Sequence, residues 1–349
     1  MNAPSRSAHL AYPARRALEP LLQLIDDPAV RDIFCHSSHR RQFAGEAHLD
    51  DFAEVWIDRG HSLERVPSEM FRAQIRNRQL RELAVAAIAA GNRQLDELHP
   101  FADVSVGSGI RVHAALPPVA VNGPAISIRL PATRQFSFDD LAQAGLCSHA
   151  ERAVLLTAIQ QRKNLLITGG TGTGKTTLLS ALLECVPPGE RIITIEDVAE
   201  LRPRHPHRIA LESRPPNSEN AGQVSLDDLL RQALRMRPDR VVLGECRGAE
   251  IATLLTALNT GHDGGAGTLH ASTIPETAGR LEALGALAGM TPAALAKQAV
   301  TAIDLIVHVR RRNGVFGIAG FGKPVLTARG DLAVVEVSPV TGLSAGKAA

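Results

Sequence analysis

Residues 169–176 read Gly169-Gly170-Thr171-Gly172-Thr173-Gly174-Lys175-Thr176, with Thr177 next. This is a complete GxxxxGK[ST], and what flanks it decides its meaning. Asn164–Thr168 is an apolar run that reads as a buried strand, and Lys175–Cys185 reads as a helix. A strand entering a Gly/Thr loop that opens a helix is the local architecture of a phosphate cradle. Glycines let the backbone curl so that several N–H groups point inward at phosphates. The helix N-terminus adds partial positive charge, Lys175 reaches the β- and γ-phosphates, and the Thr176 hydroxyl suits Mg²⁺. Residues Gly169 to Thr177 are therefore expected to hold a nucleoside triphosphate such as ATP.

Working outward, the downstream sequence alternates strands with helices. Arg191–Ile195, Val241–Leu243 and Gly267–Leu269 read as strands, and Leu226–Met236, Glu250–Leu258 and Glu276–Ala288 as helices. Such alternation predicts a mostly parallel sheet covered on both faces. Residues Asn313 to Val337 read as small strands extending it. Upstream, Ala17–Ile25 reads as a short amphipathic helix closed by Asp26-Asp27-Pro28, and a polar, His-rich loop or insertion runs from His36 to Asp51. Ala53–Asp58, Gly109–Leu116 and Ala125–Leu130 read as strands. Ser68–Ala90 reads as a helix, capped by Ser68 and stopped by Gly91. The fold class is α/β throughout: an N-terminal mixed α/β domain (1–130), a linker (131–137), a P-loop domain (138–340) and a flexible tail (341–349).

Two further strands end in carboxylates. Arg191-Ile-Ile-Thr-Ile-Glu196-Asp197 places Glu196 and Asp197 at the end of an apolar run. In parallel sheets, ligands bind at the carboxyl ends of strands, so Glu196 can orient or deprotonate an attacking water. Asp197 reads equally well as a helix cap. Val241-Val-Leu-Gly-Glu245 also ends in a carboxylate, suited to holding Mg²⁺ directly or through water. In Gly261-His-Asp-Gly-Gly-Ala-Gly-Thr-Leu-His270-Ala271, a Gly-rich loop feeds a strand that would deliver His270 to the γ-phosphate. A structural histidine remains the alternative there.

The chain has 349 residues, 44% hydrophobic and 21% charged, with a formal net charge of +2. That length suggests two domains and excludes a disordered or collagen-like chain. Aromatics make up 3%, which disfavours nucleic-acid binding by base stacking. Only five of the 38 basic residues are Lys. The four cysteines lie apart with no CxxC pair, which reads as reduced thiols rather than a disulfide frame or zinc site. His205-Pro206-His207 lacks further ligands at metal spacing, so no structural metal is expected. Arg231, Arg235, Arg237 and Arg240 read as the polar face of an amphipathic helix or as a subunit contact. No apolar run approaches the ~18 residues of a spanning helix, and residues 1–16 lack a signal peptide's apolar centre. A soluble, cytoplasmic protein is the expectation.

Four segments carry a family resemblance: GGTGTGKTT, TIED followed by Glu200-Leu201, LRMRPDRVVLGECRG and GHDGGAGTLHA. In order and spacing they resemble the Walker A, Asp box, Walker B and His box of type II/type IV secretion ATPases. The resemblance is greatest to the CpaF/TadA-type ATPases of Tad/Flp pilus assembly. It implies a homo-hexameric, Mg²⁺-dependent ATPase with a RecA-like domain, peripheral to the inner face of the cytoplasmic membrane and partnered by platform proteins there, with no DNA expected. It further implies Lys175 and Thr176 at the phosphates and Mg²⁺, Glu196 as general base, Glu245 as the Walker B acid and His270 as the His-box histidine. Arg111 (GIRVHAALPP) and Arg129 (ISIRL) match arginine-finger positions, and Arg247 matches an arginine that would bridge to a neighbouring protomer. Departures are Ser272 where Asn is usual, Cys246 where an aliphatic residue is usual, and the segments Cys35–Asp51 and Gly314–Lys323. A nucleic-acid translocase or conjugation-type ATPase is the rival reading.

Overall fold

Apolar residues at Leu80, Leu83, Ala84, Ala87 and Ile88 repeat at helical spacing, and all five are buried. They form the inner stripe of the helix that organises the N-terminal half. The computed structural model describes residues 5–37, 53–60, 62–67, 75, 77–107, 109–133, 135–216, 221–312 and 315–338. The expected Ser68 cap, most of the Cys35–Asp51 segment and the 341–349 tail lie outside them. Two compact units result, Met1–Arg134 with Pro216–Ala221, and Gln135–Pro215 with Gly222–Ala349.

In the first unit, α1 (Tyr12–Ala17) and α2 (Leu22–Asp26) precede β1 (Asp32–Ser37), β2 (Ala53–Asp58) and β3 (Leu63–Arg65). Helix α3 (Asn77–Ala90) leads to β4 (Phe101–Val106), β5 (Ile110–Ala115) and β6 (Ala125–Arg129). The strands form one antiparallel sheet in the order β3-β2-β1-β6-β5-β4. Helix α3 packs on β5, β1, β4 and β6. The Ser68–Ala90 reading meets this helix from Asn77 onward; residues 68–74 lie outside the described residues, and the Ile75 carbonyl accepts from Ala53 N–H. The helix stop differs. Asn92, not Gly91, takes the left-handed turn (φ +60°). A Cβ on Gly91 would fall 2.3 Å from Val104 Cβ, so that glycine serves helix–sheet contact.

The second unit runs α4 (Phe138–Gln143), α5 (His149–Gln160), β7 (Leu165–Gly169), α6 (Lys175–Leu183), β8 (Ile192–Glu196), β9 (Arg208–Glu212), α7 (Leu226–Leu234) and β10 (Arg240–Leu243). It continues through α8 (Glu250–Asn259), β11 (Ala266–His270), α9 (Glu276–Leu287), α10 (Pro292–Ala302), β12 (Leu305–Arg312), β13 (Val315–Leu326) and β14 (Leu332–Val337). The sheet order is β14-β13-β12-β7-β11-β10-β8-β9. Strands β12, β7, β11, β10, β8 and β9 pair in parallel, and β13 and β14 add antiparallel pairs at one side. Strands β7, β8 and β10 are buried along their whole length, as sheets covered on both faces require.

Helices α5 and α10 fall outside the helices read from periodicity. Helix α5 is announced by its Ser148/Glu151 capping box, a signal as readable as the apolar spacing. One arginine also departs from expectation. Arg240 lies on no polar face: its side chain is buried, with Nε 2.6 Å from Glu190 Oε2 and Nη2 donating to Ile159 O at 2.8 Å.

Candidate nucleotide site

Parallel pairing brings the carboxyl ends of the central strands to one edge. Gly169 of β7 is in register with His270 of β11, and Leu243 of β10 with Ile195 of β8. Glu196 ends β8, His270 ends β11, and Glu245 follows β10 by two residues. The motifs therefore converge because their strands run the same way.

The P-loop itself spans β7 and α6. Gly172 (φ +69°) and Gly174 (φ +86°) are left-handed, and Gly174 is the N-cap of α6. Thr173 Oγ1 donates to Gly170 O at 2.9 Å and closes the turn. Lys175 is buried, and Nζ donates to Gly170 O at 2.8 Å and Gly169 O at 3.1 Å. Burial holds its ammonium below the usual Lys value. Thr176 is partly exposed and Thr177 exposed at the start of α6.

Lys175 Nζ also lies 3.1 Å from His270 Nδ1. An ammonium can only donate, so Nδ1 is the acceptor and the ring proton sits on Nε2. Burial, then the Lys175 charge, keeps His270 below its ordinary value. On its far side, Nε2 is 2.5 Å from Glu245 Oε1, but out of line for a hydrogen bond; Oε1 is buried with no hydrogen-bond partner. Glu245 Oε2 accepts from Arg247 Nη2 at 2.5 Å, and Arg247 Nη1 reaches Asp197 Oδ2 at 3.3 Å. Within its own chain Arg247 thus pairs with two carboxylates. The buried, unsatisfied carboxylate oxygen is what a hard divalent cation or its water shell needs. Glu245, with the Thr176 hydroxyl, fits Mg²⁺ on that ground.

Glu196 is buried, and its carboxylate accepts from Leu201 N–H at 3.0 and 3.1 Å and from Glu200 N–H at 3.2 Å. Burial outweighs those bonds and pushes its pKa up to about 7. Asp197 accepts from Ser213 Oγ at 3.1 Å.

Arg111 and Arg129 belong to the first unit. They stand directly opposite each other on β5 and β6, so they share one face of the sheet, and Asp32 of β1 is opposite Arg129.

Several supporting residues carry no motif. His308 of β12 sits 2.9 Å from Thr168 Oγ1 and also hydrogen-bonds the Ser272 backbone, tying β7 to the turn after His270. A Cβ on Gly174 would meet the Phe316 ring of β13 at 3.2 Å, and Arg311 lies over that ring, 5.1 Å from its centroid. Glu250 accepts from Arg247 and Gly248 N–H at 2.6 and 2.8 Å, shaping the turn that presents Arg247. Only long-range folding brings these groups to the loop.

Residues 41–314 match the family described as type II/IV secretion system protein. The chain belongs to this family. A putative conjugal transfer protein of Mycobacterium tuberculosis (strain H37Rv) is 47% identical over 268 residues, covering 74% of each chain. The conjugal transfer protein TrbB of Rhizobium radiobacter is 34% identical over 237 residues, 66% of this chain and 70% of its own. The pilus retraction motor PilT with bound ADP superposes with a TM-score of 0.57 at 20% identity, covering 94% of this chain and 84% of its own. The Legionella pneumophila ATPase DotB gives 0.53 at 18% identity, with 94% and 85% covered. These two structures share the fold. No described helix is long and apolar enough to cross a membrane.

Proposed function

We propose that this type II/IV secretion system protein is an ATP-hydrolysing motor. The observation that carries the reading is the clustering of the P-loop carbonyls, Lys175, His270 and Glu245, each within 3.1 Å of the next, at the carboxyl edge of a parallel sheet. Walker A and Walker B groups are already in one cluster. Phosphates entering the loop would take Lys175 from Gly169 and Gly170 O and draw on the N–H groups of residues 170–176. Glu245 and the Thr176 hydroxyl would hold Mg²⁺, which would supply charge neutralisation at the transferring group. Glu196, with its proton affinity poised near neutrality, accepts the proton of the attacking water. His270 stays neutral on Nδ1 and offers Nε2–H to developing negative charge. Arg111 and Arg129 act as arginine fingers, making turnover depend on how the first unit is placed during the cycle.

The work output we propose is assembly of a Tad/Flp-type pilus or a related secretion machine by a homo-hexamer docked on inner-membrane platform proteins. The motif series and the family membership support this. A conjugation-type motor is the second reading, favoured by the names of the 47% and 34% identical relatives. Phosphate release from ATP by the purified chain, with and without single-stranded DNA, tests both. Mg²⁺-dependent release that Lys175→Ala abolishes supports the motor. Stimulation by DNA that fades steeply with salt supports the second reading, and absence of any turnover in the oligomer refutes both.

A further inference from the structure

Arg247 spans two carboxylates of the site. Its guanidinium holds Glu245 Oε2 at 2.5 Å and Asp197 Oδ2 at 3.3 Å, spanning the ends of two different strands. Asp197 is fixed by Ser213 Oγ, and the Arg247 backbone is fixed by the buried Glu250 carboxylate. Both anchors are therefore built, although the Arg247 side chain itself is about half exposed. Meanwhile the other Glu245 oxygen is buried without a hydrogen bond. One carboxylate thus carries the Arg247 cation on Oε2, while its Oε1 lies against His270 Nε2 at 2.5 Å.

Resting on the nucleotide-site reading, we infer that Arg247 is a resident counter-cation that competes with Mg²⁺ for Glu245 and sets the Mg²⁺ concentration at which nucleotide binds. Before nucleotide arrives, the guanidinium neutralises Glu245 and Asp197, so two carboxylates and no metal can share the pocket without mutual repulsion. A divalent cation arriving with the phosphates meets a like charge a few ångströms away and must displace or push back the guanidinium. Asp197 then receives more of it, since the fork can pivot between the two carboxylates. The repulsion between the guanidinium and the ion grows with the ion's double charge. Removal of the guanidinium charge should therefore tighten Mg²⁺ on the order of tenfold.

The test is binding of a fluorescent ADP analogue to the purified full chain across a Mg²⁺ titration, for wild type, Arg247→Gln and Arg247→Lys. The expected result is a Mg²⁺ midpoint about tenfold lower for Arg247→Gln. Arg247→Lys keeps the charge but loses the two-pronged contact, and should fall between. Binding in EDTA reports the P-loop alone, and melting temperatures confirm that the half-exposed substitutions leave the fold intact. Equal Mg²⁺ midpoints in wild type and Arg247→Gln, with nucleotide bound in both, overturn the role of Arg247 and leave the nucleotide site standing. If wild type binds no nucleotide at saturating Mg²⁺, the site reading and the inference fall together.

Discussion

Gly244 presses on Glu196: a Cβ at Gly244 would lie 2.5 Å from Glu196 Cγ and 2.9 Å from its Oε1. The glycine between the Val241–Leu243 strand and Glu245 therefore shapes the neighbouring strand's carboxylate as well as its own turn. Backbone of β10 passes there because Gly244 N–H donates to Ile195 O at 2.8 Å. The acid box and Walker B segment form one contact, though neither motif mentions the other.

Gly244→Ala should accordingly displace the Glu196 carboxylate from the N–H groups of Leu201 and Glu200. Displacements of about 1 Å in a catalytic group can cost roughly 10²-fold. We expect phosphate release to fall by about that factor, with nucleotide affinity kept within about threefold. A variant that turns over normally would show that Glu196 is not the base.

Glu196 also predicts two pH effects of opposite sign. Its folded pKa of about 7 exceeds its ordinary value of 4.5. The folded state thus binds this proton more tightly than the unfolded one. Stability from this group is full below about pH 4.5 and is lost as pH rises through about 7. Glu196→Gln should remove that loss, leaving a variant more stable than wild type at pH 8 and similar at pH 4.5. The gain is at most about 3 kcal/mol, read from melts at the two pH values. Turnover of wild type should instead rise between pH 6 and 8, as the base loses its proton.

Burial of Arg240 makes it a stability residue. Its side chain is 1% exposed and meets Glu190, Ile159 O and Gly264 O. Arg240→Ala strips a hydrogen bond from Gly264 O, leaves Ile159 O to the Arg162 N–H, and leaves Glu190, 19% exposed, paired with Arg162 at 3.3 Å among the described residues. A loss of about 3–5 kcal/mol is expected in denaturant unfolding. A loss under 1 kcal/mol would mean that water replaces the guanidinium.

Arg111→Ala and Arg129→Ala should each lower turnover, by about 10³-fold if they reach the γ-phosphate, while nucleotide affinity of the isolated chain is little changed. Unaltered phosphate release in the oligomer would return both to ordinary strand residues.

Much of this protein was legible in its sequence because the informative patterns are short. The P-loop needs eight consecutive residues, each apolar strand of the parallel sheet needs four or five, and the carboxylates and His270 sit directly at or after those strands. Local steric and hydrogen-bonding rules act over that range, so Lys175, Glu196, Glu245 and His270 could be named from spacing and resemblance. Less legible was the first unit: its edge strands β3 and β4 and the interior strand β1 went unread, and Gly91 and Asn92 exchanged roles because Val104, on a distant strand, sets the packing distance. Tertiary structure alone decided which charges meet. It buried Arg240 against Glu190, set Gly244 on Glu196, brought Phe316 to the P-loop and closed Arg247 onto Glu245 and Asp197. Apart from the Arg247–Glu245 pair, which stands two residues apart, those contacts join residues tens of positions apart, and the energy of a charge depends on what surrounds it in space rather than on its neighbours along the chain.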